Sequence, residues 1–292
     1  MIKTPYLLFL GDAPDQLAAK VGQGIRDWRP DISLGQIRLP GCKADLGLPD
    51  YTLEEAKNAG AKTLIVGVAN RGGTFSSTWK ETLCKALGLK FDIASGLHNL
   101  LSEEKDFTDL ARSNECKLFD VRIPSEIFPI ANGKKRSGMR CLTLGTDCSA
   151  GKMYSTLALE REMLSRGKKA TFRATGQTGI LISGSGIPLD AVVADFMAGA
   201  VEALTPDSDA DHWDLIEGQG SLFHVSYSGV TMALIHGGQP DHLILCHEHT
   251  RTHMRGLPHY SVPTLEALYE MALPIAKISN PDCKISGICL NT

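Results

Sequence analysis

Residues 145–156 read GTDCSAGKMYST, the ingredients of a phosphate-binding loop with one of them exchanged. Backbone N–H groups turned inward at a helix N-terminus attract an anion, and glycines let it come close. Gly151 and Lys152 supply the glycine–lysine pair, and the lysine would meet the outer phosphates as a point charge. The next residue normally offers a hydroxyl to magnesium, and here it is Met153. Thr156 cannot substitute, because it lies about one helical turn further on. Thr146 stands where the first glycine belongs, with Gly145 one place earlier. Gly145, Thr146, Asp147, Cys148, Ser149, Ala150, Gly151, Lys152 and Met153 are therefore expected to hold phosphate and to be poor at hydrolysing a nucleotide. The plain alternative is a helix capped by Asp147 or Ser149 that carries a surface lysine.

A second stretch points the same way. In DLIEGQGS an apolar run ends in Glu217, followed by Gly218 and Gly220. Parallel sheets present ligands at the carboxyl ends of their strands. A carboxylate there can hold magnesium, the favoured role, or take a proton as general base. Asp195, a polar break in VVADFM, is the second metal candidate, or it lies on a wet helix face. HEHTRTHMRGLPH carries His247, His249, His253 and His259. His249 and His253 would share a helix face, but the Thr-Arg-Thr between them suits a loop, so a general base is a better use of this cluster than zinc.

These residues must be positioned by repeated strand–turn–helix units. YLLFLGDA precedes PDQLAAKVGQGIRDW, where Leu17, Val21, Ile25 and Trp28 recur at helical spacing, and KTLIVGVANRGG precedes FSSTWKETLCKALG. The alternation breaks in residues 121–140, with two prolines and a basic cluster, and restarts at MRCLTLG. The reading is α/β: two three-layer domains with mainly parallel sheets, over residues 1–136 and 137–292. A chain of 292 residues, 43% hydrophobic and 22% charged, can bury two such cores. A net charge of −3 gives no electrostatic case for nucleic acid or an anionic membrane, and no stretch is long enough to span a bilayer. The N-terminus lacks a signal peptide's cleavage region, and eight dispersed cysteines read as thiols in a reducing compartment; a cytoplasmic location is expected.

GTDCSAGK with EGQGS and SGICLN resembles the phosphate-loop class that includes dethiobiotin synthetase. The whole chain resembles more closely the DgcN-type family of D-glutamate N-acetyltransferases, through VGVANRGG, IASGLH, GTDCSAGKMY, ATFRATGQTGILISGSG, DHWDLIEGQGSLFH and HEHTRTHMRG. The resemblance implies a Rossmann-like N-terminal domain, a P-loop NTPase-like C-terminal domain, and acetyl transfer from acetyl-CoA to the amine of D-glutamate. It also implies that the C-terminal domain continues beyond SGICLNT. A donor that is itself a phosphorylated adenosine gives the loop a use without magnesium, with Mg2+ as an optional companion. Two substrate carboxylates call for cations and backbone donors. Arg173 is expected in the catalytic site beside Glu217 and His247, with Thr175, Gln177, Arg71, Gly72 and His98 binding substrate across an interdomain cleft. The runner-up is an ATP-dependent ligase or kinase in which Asn291 reads adenine, and a third reading is a non-catalytic nucleotide-binding regulator. A homo-oligomer is expected.

Overall fold

The computed structural model describes residues 2–69, 74–124 and 126–292. It comprises two compact units, Met1–Ile123 with Ile180–Ser185 and Pro124–Gly179 with Gly186–Thr292.

In the first unit, strands β1 (Tyr6–Gly11), β2 (Ser33–Arg38), β3 (Thr63–Val66), β4 (Asp92–Ser95) and β5 (Leu118–Asp120) form a parallel sheet in the order β2-β1-β3-β4-β5. Every residue of β1, YLLFLG, is buried, as a strand covered by crossovers on both faces must be. The crossovers carry α1 (Lys20–Trp28), α2 (Leu53–Asn58), α3 (Ser77–Gly88) and α4 (Lys105–Asn114). Helix α2 starts on a capping box in which Thr52 and Glu55 satisfy each other's backbone N–H. Helix α1 begins later than its apolar spacing suggests. Residues 14–19 run as bends and turns, and Leu17, expected on the buried face, is 61% exposed.

The second unit has a parallel sheet of β6 (Met139–Gly145), β7 (Lys169–Arg173), β8 (His212–Ile216), β9 (His242–Glu248) and β12 (Lys284–Asn291), ordered β12-β9-β6-β8-β7. Helices α5 (Lys152–Ser165), α6 (Gln177–Ser183), α7 (Ala194–Leu204), α8 (Ser228–Gly238) and α9 (Leu265–Ser279) connect these strands. An antiparallel hairpin of β10 (His253–Met254) and β11 (Leu257–Ser261) follows β9. The chain leaves β6 towards the β8 side of the sheet and leaves β9 towards β12, so the crevice of this doubly wound sheet opens at the carboxyl ends of β6 and β9. Both units are thus mainly parallel α/β, the class read from the sequence.

The break between the units falls at Ile123/Pro124 and not at 136/137. The segment between belongs to the second unit because its side chains and backbone pack there. Phe128 joins the core of Leu142, Val201 and Leu234, and the Asn132 and Gly133 N–H groups donate to the buried Glu202 carboxylate at 3.0 and 2.9 Å. Arg136 donates to the Thr205 and Gly237 carbonyls. A stretch without apolar periodicity can still be well anchored, and its polarity misled the sequence reading. No helix among the described residues is long and apolar enough to cross a membrane.

Candidate active site

The carboxyl end of β6 turns through residues 145–151 into α5, whose N-cap, Gly151, has φ of 95°. Lys152 is folded back through this turn. Its side chain is buried, and Nζ donates to the Asp147 carbonyl at 2.8 Å. Two glycines leave the channel it occupies. A Cβ on Gly145 would stand 2.9 Å from Lys152 Nζ, and one on Gly218 would stand 3.0 Å from Lys152 Cδ. Burial pulls the lysine's pKa below its usual value. The N–H groups of Lys152 and Met153 open the helix, where no intrahelical acceptor exists for them, so they are ready donors to an anion.

The loop is clamped from behind. Asp147 is fully buried and accepts hydrogen bonds from Cys148 N (2.7 Å), Arg251 Nη1 (2.6 Å) and Arg255 N (2.8 Å). Thr146 donates its N–H to the Cys246 carbonyl at 3.1 Å, receives the Ser221 hydroxyl on its own carbonyl at 2.9 Å, and has Oγ1 2.9 Å from His247 Nδ1. Ser149 sits at φ of 53°, a left-handed conformation uncommon for a residue with a Cβ, held here by the contacts around it.

Glu217 follows β8 directly. The Thr175 and Gly176 N–H groups donate to its Oε2 at 2.8 and 3.2 Å, and the Thr175 hydroxyl donates to its carbonyl at 2.7 Å. Gly179 has no Cβ to collide with this carboxyl, which would lie 2.4 Å away. Burial is the largest influence on the carboxyl and raises its pKa from 4.5 to about 7, against the lowering pull of the two N–H groups and of Lys152. A buried carboxyl that titrates near neutrality is suited to proton transfer. The same displacement ties stability to pH. The folded protein binds this proton more tightly than the unfolded chain, so the contribution is complete below pH 4.5 and is lost as pH rises through about 7. The loss amounts to about 3 kcal/mol. Glu217→Gln should therefore melt higher than the parent at pH 8, by roughly 6–12 °C, and match it near pH 4.5. Melting curves of the two proteins that stay parallel across this range would contradict the assignment.

The other expected residues divide. Thr175 lies against Glu217, His247 against Thr146, and Asn291 Cβ would stand 3.7 Å from a Cβ on Gly151, so the end of β12 borders the loop. The Asn291 amide is donated to the Glu248 carboxylate. Gln177 is half-buried at the start of α6. Arg173 Nε is 2.7 Å from Oδ1 of the buried Asp214, a partner on the neighbouring strand. Asp195 is exposed in the first turn of α7, where a carboxylate suits the helix dipole. His98 is exposed after β4 in the first unit, while Arg71 and Gly72 lie outside the described residues. His249 and His253 share no helix. The first contacts the Asn291 carbonyl at 3.2 Å and the second the Thr252 hydroxyl at 2.9 Å.

Magnesium fits this donor set poorly. Met153 offers a thioether, and the Thr156 hydroxyl is engaged with the Lys152 carbonyl at 2.8 Å and with Thr143 Oγ1 at 3.0 Å. Among the described residues, Asp147, Cys148 and His224 bring three ligand-type atoms together. Two of the three already have hydrogen-bond partners: Asp147 has the three donors above, while His224 receives the Ser226 N–H on Nδ1 and turns Nε2 to the Arg255 carbonyl, both at 3.2 Å. Arg251 and Arg255 escaped the sequence reading. They lie about a hundred positions from the loop with no spacing to connect them to it.

Comparison with known proteins agrees with this architecture. Residues 129–292 match a family profile described as "Domain of unknown function (DUF1611_C) P-loop domain", and residues 37–124 match "Domain of unknown function (DUF1611_N) Rossmann-like domain". A protein of Tritonibacter scottomollicae named D-glutamate N-acetyltransferase is 70% identical over 292 residues, covering 100% of this chain and 88% of its own length. A Pseudoalteromonas protein of the same name is 47% identical over 291 residues, with the same shares covered. The crystal structure of a DUF1611 family protein from Anabaena variabilis superposes with a TM-score of 0.88 at 29% identity, over 99% of this chain and 88% of that one. The phosphate loop between β6 and α5 and the two parallel α/β units are thus the shared features of a known family, and the chain belongs to the DUF1611 family.

Proposed function

We propose that the chain is a D-glutamate N-acetyltransferase that moves the acetyl group of acetyl-CoA to the amine of its substrate. The observation that carries this reading is the 70% identity, over the full chain, to the Tritonibacter protein of that name. The site supports it independently. A phosphate loop with Met153 in place of a hydroxyl is badly equipped for magnesium-dependent phosphoryl transfer, and acetyl transfer needs none.

The reaction needs a neutral amine, a polarised thioester carbonyl and close approach of the two. Lys152 and the N–H groups that open α5 would hold the donor's phosphates. The Glu217 carboxylate takes the proton of the substrate ammonium. The freed nitrogen then forms a bond to the acetyl carbon, the C–S bond breaks, and CoA leaves as a thiolate that picks up a proton. The products are N-acetyl-D-glutamate and CoA. His247, held at Nδ1 against Thr146, is the second titratable group at the same crevice and the alternative proton acceptor.

Lys152→Met keeps the buried stem and removes the charge. It should raise the KM for acetyl-CoA roughly 10–100-fold in a thiol-release assay, the cost of one charged hydrogen bond, with the circular dichroism spectrum unchanged. A KM equal to the parent's would take the loop out of donor binding. The eight free thiols suit a reducing compartment, and we place the enzyme in the cytoplasm. Assembly as a homo-oligomer belongs to the same reading. The mass in solution tests it.

A further inference from the structure

The hairpin β10–β11 turns at Arg255 and Gly256, between the paired residues Met254 and Leu257. It is docked onto the phosphate loop by its backbone on both sides of the turn. The Arg255 N–H donates to Asp147 Oδ2 at 2.8 Å, and the Arg255 carbonyl lies 3.2 Å from His224 Nε2. Met254 is buried beneath. This holds the Arg255 side chain at the loop's tip, where Nη1 donates to Ser149 Oγ at 2.6 Å. Arg251 lies beside it, but its charge is balanced by Asp147 at 2.6 Å. Among the described residues no carboxylate lies within ion-pair distance of Arg255 or of Lys152. The loop therefore carries two cations with no ion-pair partner of their own: Lys152 is buried within the turn, where Asp147 and Glu217 act on it only at longer range, and Arg255 stands at the tip.

We propose that Arg255 binds the diphosphate of acetyl-CoA, sharing with Lys152 the charge neutralisation that magnesium supplies in nucleotide-hydrolysing loops. This rests on the acetyl-CoA reading for the identity of the ligand. A diphosphate needs more positive charge than one buried lysine supplies, and Met153 gives magnesium no hydroxyl. A guanidinium presents a planar fork of N–H donors to phosphate oxygens, of which the Ser149 contact engages only one nitrogen. Pinning of the backbone on both sides of Arg255 means that this fork is delivered in place before any ligand arrives.

The test uses the parent, Arg255→Ala and Arg255→Lys, with calorimetry for acetyl-CoA and for ADP in EDTA and turnover on S-acetylpantetheine, a donor without phosphates. Arg255→Ala should bind both phosphorylated ligands about 10–100-fold more weakly, with Arg255→Lys recovering part of the loss. Turnover on S-acetylpantetheine should be the same in all three proteins, and EDTA should leave the parent's affinity unchanged. Equal loss with S-acetylpantetheine would make Arg255 a structural pin and overturn the proposal, as would parent binding that collapses in EDTA. Acetyl-CoA binding untouched by Arg255→Ala would keep the donor and overturn the arginine. Arg255-dependent binding of ADP by a protein that ignores acetyl-CoA would keep the arginine and overturn the donor.

Discussion

Glu217→Gln should lower kcat about 10²–10⁴-fold, the range of a lost general base, while acetyl-CoA binds as before. The amide has the shape of the protonated carboxyl and can still accept from the Thr175 and Gly176 N–H groups, so the surroundings need not move. It cannot take a proton. In the parent, kcat should rise with pH and level off above about 7, as the carboxyl loses its proton and becomes a base. The variant's residual rate should lack that limb. A stability cost accompanies the parent's active form, because the ionised carboxylate is the one that burial disfavours. If turnover and its pH profile survive in Glu217→Gln, His247 takes the role of proton acceptor.

Gly218→Ala should be the most damaging small substitution near the site. A Cβ there would stand 1.7 Å from the carbonyl oxygen of Thr143, in the middle of the first strand of the sheet. Neither atom is the end of a flexible side chain. Strand β6 is paired on both sides, with β8 and β9, so separating the two backbones disturbs the sheet and the loop that leaves it. The Lys152 stem is also only 3.0 Å from that Cβ. The cost should be about 3 kcal/mol or more, a fall of roughly 6–12 °C in melting temperature or failure to fold. Gly229→Ala is the matched control. Nothing lies within 4 Å of its Cβ, and alanine in helix α8 should be neutral or stabilising by up to about 1 kcal/mol. Similar melting of the two variants would show that the close approach at Gly218 is not what constrains that position.

Much of the site was legible because its signals are local. A loop, a lysine and a helix follow one another within a dozen residues, and Glu217 ends an apolar run beside two glycines. Contacts made across sequence distance were hidden. Arg251 and Arg255 reach the loop only because β9 ends beside β6 and a hairpin folds back over it. Arg173 reads as a free cation at a strand end, and only the pairing of β7 with β8 reveals Asp214 as its partner. Asp195 shows the opposite limit. A polar residue in an apolar stretch can mark a site or an exposed first turn, and only the fold distinguishes them. The domain boundary was drawn elsewhere for a similar reason, since Asn132 is anchored by Glu202, seventy residues away, and Phe128 by a core that includes Val201 and Leu234.

The most direct measurement of the central claim is a product-resolved assay of the purified protein with acetyl-CoA and D-glutamate, in EDTA and without ATP. Free CoA and N-acetyl-D-glutamate should appear in equal amounts, and added ATP with magnesium should neither speed their formation nor release phosphate. Phosphate released from ATP in step with D-glutamate consumed, with no acetylated product from acetyl-CoA, would contradict the account and return the loop to phosphoryl chemistry.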